Sequence, residues 1–179
     1  MNQDTKAWSY SALSGFELCP KKYCNSAITK QFVEPENPDG PLAYGKEVHE
    51  AFANYLTGRL QRLPTPLVHH AKFLDQLKGM SQEILVESEL ALDHEYQPCG
   101  WRDWNDVYVR AKVDFTGITG TEALVVDHKT GKYQEGFDQL EMQMAVVSIF
   151  RPDIEKYSGM YYWTGDRKKR EILPALVRN

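Results

Sequence analysis

The chain has 179 residues, 42% of them hydrophobic and 12% aromatic, which suits one globular domain and excludes a largely disordered polymer. Three cysteines, Cys19, Cys24 and Cys99, are too few and too irregularly spaced for a disulfide framework, a zinc finger or a four-cysteine iron–sulfur cluster. The formal net charge of −4 lacks the basic excess usual in nucleic-acid binding, although basic residues gather at Lys21-Lys22 and at Arg167-Lys168-Lys169-Arg170.

The predicted elements follow in chain order. Ser9 or Ser11 caps a short helix whose apolar residues are Leu13, Phe16 and Leu18, and Cys19-Pro20 ends it. Pro35, Pro38 and Pro41 with Asp39-Gly40 mark a loop over 33–41. Val48, Ala51, Phe52, Tyr55 and Leu56 recur at helical spacing and predict a helix over 45–60. A second helix is expected from Val68 to Met80. In ILVESELAL, residues 84–92, Ile84, Val86, Leu90 and Leu92 share one parity, as on one face of a strand. A polar turn spans 93–105. Strands over 107–115 and 123–129, separated by Thr119-Gly120-Thr121, form an expected antiparallel hairpin. A helix over 137–150, ended by Arg151-Pro152, a strand over 157–163 and a short tail complete the chain. The order predicts an α/β fold, a central mixed β-sheet flanked by helices, occupying 1–179 as one domain. No signal-peptide core opens the chain, and the apolar stretch near Met144 to Phe150 is too short for a bilayer. A soluble, cytoplasmic protein is expected.

The chemistry concentrates at Asp114 and at Asp127-His128-Lys129. Residues two apart on a strand share a face, so Asp127 and Lys129 stand together, and hairpin pairing brings Asp114 alongside. Two carboxylates on adjacent strands can hold a hard divalent cation, and a lysine beside them suits phosphodiester hydrolysis. An Asp and a Lys so spaced are often only a solvated rim pair. The apolar run Ala123–Val126 argues otherwise, because a charged group ending a buried strand needs a partner. His49 lines up with Phe52, Ala53 and Leu56 and therefore points inward, as a core histidine or a ligand. Gln139 and Gln143, four apart, share a helix face, which in the ordinary case is an exposed polar one. Lys129-Thr130-Gly131 also matches an element of penicillin-binding enzymes, but no serine here has lysine three positions on.

Taken together, SYSALSGFELCPKKY (9–23), GKEVHEAF (45–52), VESELAL (86–92), VRAKVDF (109–115), VVDHKTGK (125–132) and DQLEMQMA (138–145) resemble the RecB-like exonuclease branch of the PD-(D/E)XK nuclease superfamily, in the family's order and over most of the chain. The compact form is similar to stand-alone phage or bacterial exonucleases. The resemblance implies a restriction-endonuclease-like core and a Mg²⁺- or Mn²⁺-dependent deoxyribonuclease serving DNA recombination, repair or degradation. It implies metal ligation by His49, Asp114, Asp127 and the His128 backbone carbonyl, with Glu87 as a further acid and Glu89 on its face. It makes Lys129 catalytic, together with the two acids, and puts Gln139 near the site and the DNA. Tyr10, Ser11, Lys21, Lys22, Tyr23, Trp101 and Gln143 are the expected DNA contacts, and Trp104 flanks the same turn as Trp101. For each of these, packing or a plain surface role is the alternative. Gln143 stands where the family often has a tyrosine, and Ala111 where it often has a glycine. Relatives with an iron–sulfur cluster use cysteines beyond the last strand, and none follows Cys99, so no cluster is expected. DNA is the expected partner, with no membrane; a homo-oligomer or a recombination-protein partner is left open. An endonuclease that cuts particular structures or nicks, and a non-catalytic binding module on the same fold, are the alternatives.

Overall fold

The computed structural model describes residues 7–33, 35, 37–132 and 136–164, and the backbone of 170–177. The basic run 167–170 therefore lies outside the described side chains. Helix α1, Tyr10–Leu18, is capped by Ser9, whose Oγ accepts from the Ala12 N–H at 3.3 Å. Cys19 is extended and ends it as expected, but Pro20 then opens a second helix, α2, Pro20–Tyr23, which runs into a π-helical turn at Cys24–Ile28. Proline fits a first helical position because it lacks only an N–H that would have no partner there. The same reason moves the start of α3 back to Pro41: this helix spans Pro41–Leu56 rather than 45–60. The following helical region divides into a 3-10 stretch, Thr65–His70, and α4, Ala71–Met80.

The sheet has six strands: β1 Glu83–Leu92, β2 Pro98–Cys99, β3 Val109–Thr119, β4 Glu122–Lys129, β5 Lys156–Trp163 and β6 Arg170–Val177. Their order is β2-β1-β3-β4-β5-β6, and only β4 and β5 run parallel. The β3–β4 hairpin forms as predicted. The parallel pair is bridged by α5, Asp138–Phe150, so the mixed sheet flanked by helices is present. The sequence reading had no counterpart for β2 and β6. β2 is two residues long inside the polar turn, and β6 falls in the tail, where the apolar run from Ile172, interrupted by Pro174, shows no alternation. Among the described residues no helix is long and apolar enough to cross a membrane.

Each sheet face has its own core. On one, α5 brings Leu140, Met144 and Val147 against Val113, Val125 and Tyr161. Gly159 on β5 allows that closeness, since a Cβ there would stand 2.8 Å from Leu140. On the other, Val48, Phe52 and Leu56 of α3 and Leu74 of α4 pack on Phe115, Val126 and Tyr162.

These clusters correct the expected parity of β1. Ile84 and Val86 pack on the α3 side, whereas Leu90 packs on the α5 side, so the alternation inverts along the strand. The inversion coincides with Glu87, whose φ of 52° is left-handed. β3 inverts at the same level: Ala111 and Val113 face α5, and Phe115 faces α3. A strand keeps one face only while every residue stays extended, so a left-handed residue turns the remainder over.

Candidate active site

The site forms where the sheet opens. The β3–β4 ladder runs from Thr119↔Glu122 to Phe115↔Val126 and stops there. One step further would come Asp114 and Asp127. The strands part at this level, and α5 fills the gap from one side while α3 closes over it from the other. Gly45 on α3 approaches the loop after β4 so closely that a Cβ would lie 3.1 Å from Thr130 Oγ1. That contact holds His49, one turn later, over the opening. The resulting cleft, about 920 Å³, is lined by His49, Glu87, Asp114, Asp127, Lys129 and Gln139 among others.

On the α3 side, His49 Nδ1 is 3.1 Å from Asp114 Oδ1 and 3.8 Å from Glu87 Oε1. Asp114 is buried, and its Oδ2 accepts from the His128 backbone N–H at 2.7 Å. Lys112 on β3 pairs with Glu87 at 2.6 Å. His128 contributes more than the backbone carbonyl expected of it. Its imidazole is buried on the α3 side, with Nδ1 3.8 Å from Asp114 Oδ2 and Nε2 without a partner. One ligand atom each from His49, Asp114 and His128 lies within 4.8 Å of the other two. Imidazole nitrogen and carboxylate oxygen are suitable donors for a first-row divalent cation, so the residues present fit a metal.

On the α5 side, Asp127 is held by three partners. Its Oδ2 is 2.6 Å from Lys129 Nζ, and its Oδ1 accepts from Gln139 Nε2 and Gln143 Nε2, each at 2.9 Å. Gln139 Oε1 in turn accepts from Lys129 Nζ at 2.6 Å, closing a ring of Asp127, Lys129 and Gln139. The Lys129 ammonium stands 5.0 Å over the Tyr161 ring.

The electrostatics follow from the packing. Burial opposes the charge on His49, but hydrogen bonds to Asp114 and Glu87 outweigh it and raise its pKa to about 10. Burial alone would raise Asp114; its hydrogen bond with His49 and the neighbouring imidazoles hold it below the ordinary carboxylate range. Asp127 is pushed upward by burial and by the Asp114 charge, against the pull of Lys129. Burial lowers His128 to about 4, so it is a neutral imidazole and a competent donor. One carboxylate is thus kept ionised beside the His49 imidazolium, and the other is desolvated beside an ammonium.

The expected nucleic-acid contacts separate. Ser11 lines the cleft, and Tyr10 lines a hollow beside it. Lys21 and Lys22 are exposed around a different hollow that shares no residue with the cleft. Tyr23 is buried, stacked on Trp8 at 6.1 Å with Phe16 edge-on, so its ring is occupied by packing. Gln143 is 3% exposed, is bonded to Asp127 and also lines the hollow that Tyr10 lines. Its amide donates to Asp127 and, at 3.1 Å, to the Lys112 carbonyl left unpaired where β3 departs from β4. Its neighbours Leu140, Met144 and Val147 are core residues, and that helical stripe was the available signal. Lys112 was equally legible, being two positions before Asp114 on the strand. Lys46 and Arg59, also on the cleft wall, carry no such pattern.

A family model of the PD-(D/E)XK nuclease superfamily matches residues 7–171. The chain belongs to this superfamily. Membership implies metal-dependent nuclease activity on DNA, and the cleft holds donors for the divalent metal. Among curated proteins none matches. One solved structure, titled "Crystal structure of SSO0001", is similar at 17% identity over 93% of this chain and 78% of its own, with a TM-score of 0.36.

Proposed function

We propose that this protein is a RecB-like DNA exonuclease using Mg²⁺ or Mn²⁺, acting in the cytoplasm in phage or bacterial DNA recombination, repair or degradation. What carries the reading is the convergence of His49, Asp114, Asp127 and Lys129 on one cleft, with Gln139 bridging acid and lysine. His49 and Asp114 would hold the cation with the His128 imidazole or carbonyl, while Asp127 completes the shell from the α5 side. Glu87 is a further acid within reach. A divalent cation there supplies Lewis acidity to a phosphoryl oxygen and acidifies water.

The chain's own groups account for the remaining work. Lys129 Nζ, fixed between Asp127 and Gln139, lines the cleft, where its ammonium can orient the attacking water or face the charge developing on phosphate. Gln139 keeps the lysine and Asp127 in one geometry. Lys46, Arg59 and Lys112 surround the acids with positive charge, a local footprint for a phosphate backbone in a chain of net charge −4.

The test incubates linear and covalently closed circular DNA, single- and double-stranded, with Mg²⁺ or Mn²⁺, beside an Asp127→Ala control. Loss of linear DNA alone, abolished in the control, is the expected result. Cutting of circles would make the enzyme an endonuclease. No cleavage in any arm would make it a binding module or one that needs a partner protein.

A further inference from the structure

Beside the metal cleft lies a second hollow of about 450 Å³, sharing Ser11, Lys112 and Gln139 with it, so one ligand can occupy both. Its far wall is built from Arg110 and two indoles. The Arg110 guanidinium stands 4.1 Å from the Trp104 ring centroid and 5.0 Å from that of Trp101. Its Nε and Nη2 are buried without a hydrogen-bond partner. Buried guanidinium donors without an acceptor are costly, and a folded protein rarely leaves them so unless water or a ligand supplies the acceptor. Trp101 is packed beside Val107 and Ala91, whereas Trp104 is 59% exposed on its turn. Trp104 is therefore the part that can yield to an incoming group.

We propose that this hollow is a subsite for an unpaired nucleotide next to the scissile phosphate, its base stacked on Trp104 and its phosphate accepting from Arg110. This rests on the nuclease reading of the cleft. An exposed indole offers a face to any base, and a guanidinium offers a planar fork to phosphate. A paired base inside a duplex cannot present its face to an indole. The subsite thus selects a single strand or a frayed end and makes the enzyme prefer unpaired termini to blunt ones.

Binding of fluorescein-labelled oligo-dT and of a blunt duplex of equal length is measured by anisotropy in EDTA for wild type, Trp104→Ala, Trp104→Phe and Arg110→Gln. Cleavage of the same DNAs in Mn²⁺ is followed in parallel. Wild type should bind oligo-dT more tightly than duplex. Trp104→Ala should weaken oligo-dT binding about tenfold, with duplex binding little changed and Trp104→Phe close to wild type. Arg110→Gln should weaken oligo-dT binding and flatten its salt dependence. Wild-type affinity for oligo-dT in Trp104→Ala, or wild type binding both DNAs equally, overturns the subsite. Oligo-dT binding that depends on Trp104 without any wild-type cleavage would instead overturn the nuclease reading and leave the subsite standing.

Discussion

Glu87 and Asp114 face each other across β1 and β3 at the one level between Val86↔Phe115 and Ser88↔Val113 where the ladder has no partnered pair. Both strands invert their faces there, and Glu87 does so through a left-handed backbone. The inversion lets Glu87 and Asp114 turn toward His49 while their neighbours continue to fill the cores. A left-handed conformation in a residue with a Cβ costs about 1–2 kcal/mol. Local backbone strain and the placement of the acids are therefore one feature.

Comparing Glu87→Gly with Glu87→Ala isolates that strain, because both remove the carboxylate and only alanine keeps a Cβ. The glycine variant should be the more stable by about 1 kcal/mol, the reverse of the usual order within a strand. Chemical denaturation of the two proteins checks it. If alanine proves the more stable, Glu87 is not held in the left-handed region.

Lys129→Ala should fold and still bind metal, since His49 and Asp114 do not touch the lysine and Asp127, which does, stays held by Gln139 and Gln143. Turnover should fall about 10²-fold or more, the usual worth of a preorganised donor facing transition-state charge. Asp127 loses its ammonium partner but keeps two amide donors, so stability should drop by about 1–3 kcal/mol. Lys129→Arg should not restore the rate, because the larger planar guanidinium cannot take the compact ammonium's place between Asp127 and Gln139. Single-turnover cleavage with a thermal melt on each variant separates the two effects, and wild-type turnover in Lys129→Ala would remove the lysine from the mechanism.

The hairpin of β3 and β4, the helix α5 and the shared face of Asp127 and Lys129 were legible because period-two and period-3.6 patterns act locally. The resemblance then supplied His49 and Gln139, whose roles depend on residues far away in sequence. What stayed hidden is non-local or breaks a period. The inversion at Glu87 conceals itself, since Ile84, Val86, Leu90 and Leu92 keep one parity in sequence while changing faces in space. The His128 imidazole joins the metal donors only because α3 covers that face, and the strand β6 needs β5 to define it. For Tyr23 and Gln143, polar in type, sequence leaves DNA contact and packing both open. One is consumed by an aromatic cluster and the other by the gap between two strands.

Gln143 should behave as a positioning residue. Gln143→Leu keeps the side-chain bulk but removes the donor to the Lys112 carbonyl and leaves Asp127 Oδ1 with Gln139 alone, a loss of about 1–3 kcal/mol. Gln143→Glu should be worse, since it sets a third carboxylate against Asp127. For variants still folded at the assay temperature, kcat should fall more than KM changes, because the residue is 3% exposed and acts chiefly through its bond to Asp127. A KM effect alone would return Gln143 to the nucleotide-binding surface.

Metal and stability are linked through His49. A cation that binds the folded chain alone raises stability by about 2.7 kcal/mol at a hundredfold excess over Kd. Mn²⁺ should therefore raise the Tm of the wild type, and EDTA should reverse the rise. His49→Ala removes a nitrogen donor that is only 3.1 Å from Asp114, so its Tm should respond weakly to Mn²⁺. Arg151→Ala breaks the pairs with Glu83 and Asp153, far from the cleft, and should keep the full response at a lower starting Tm. An equal Mn²⁺ shift in wild type and His49→Ala would place the cation elsewhere and leave His49 as a structural partner of Asp114.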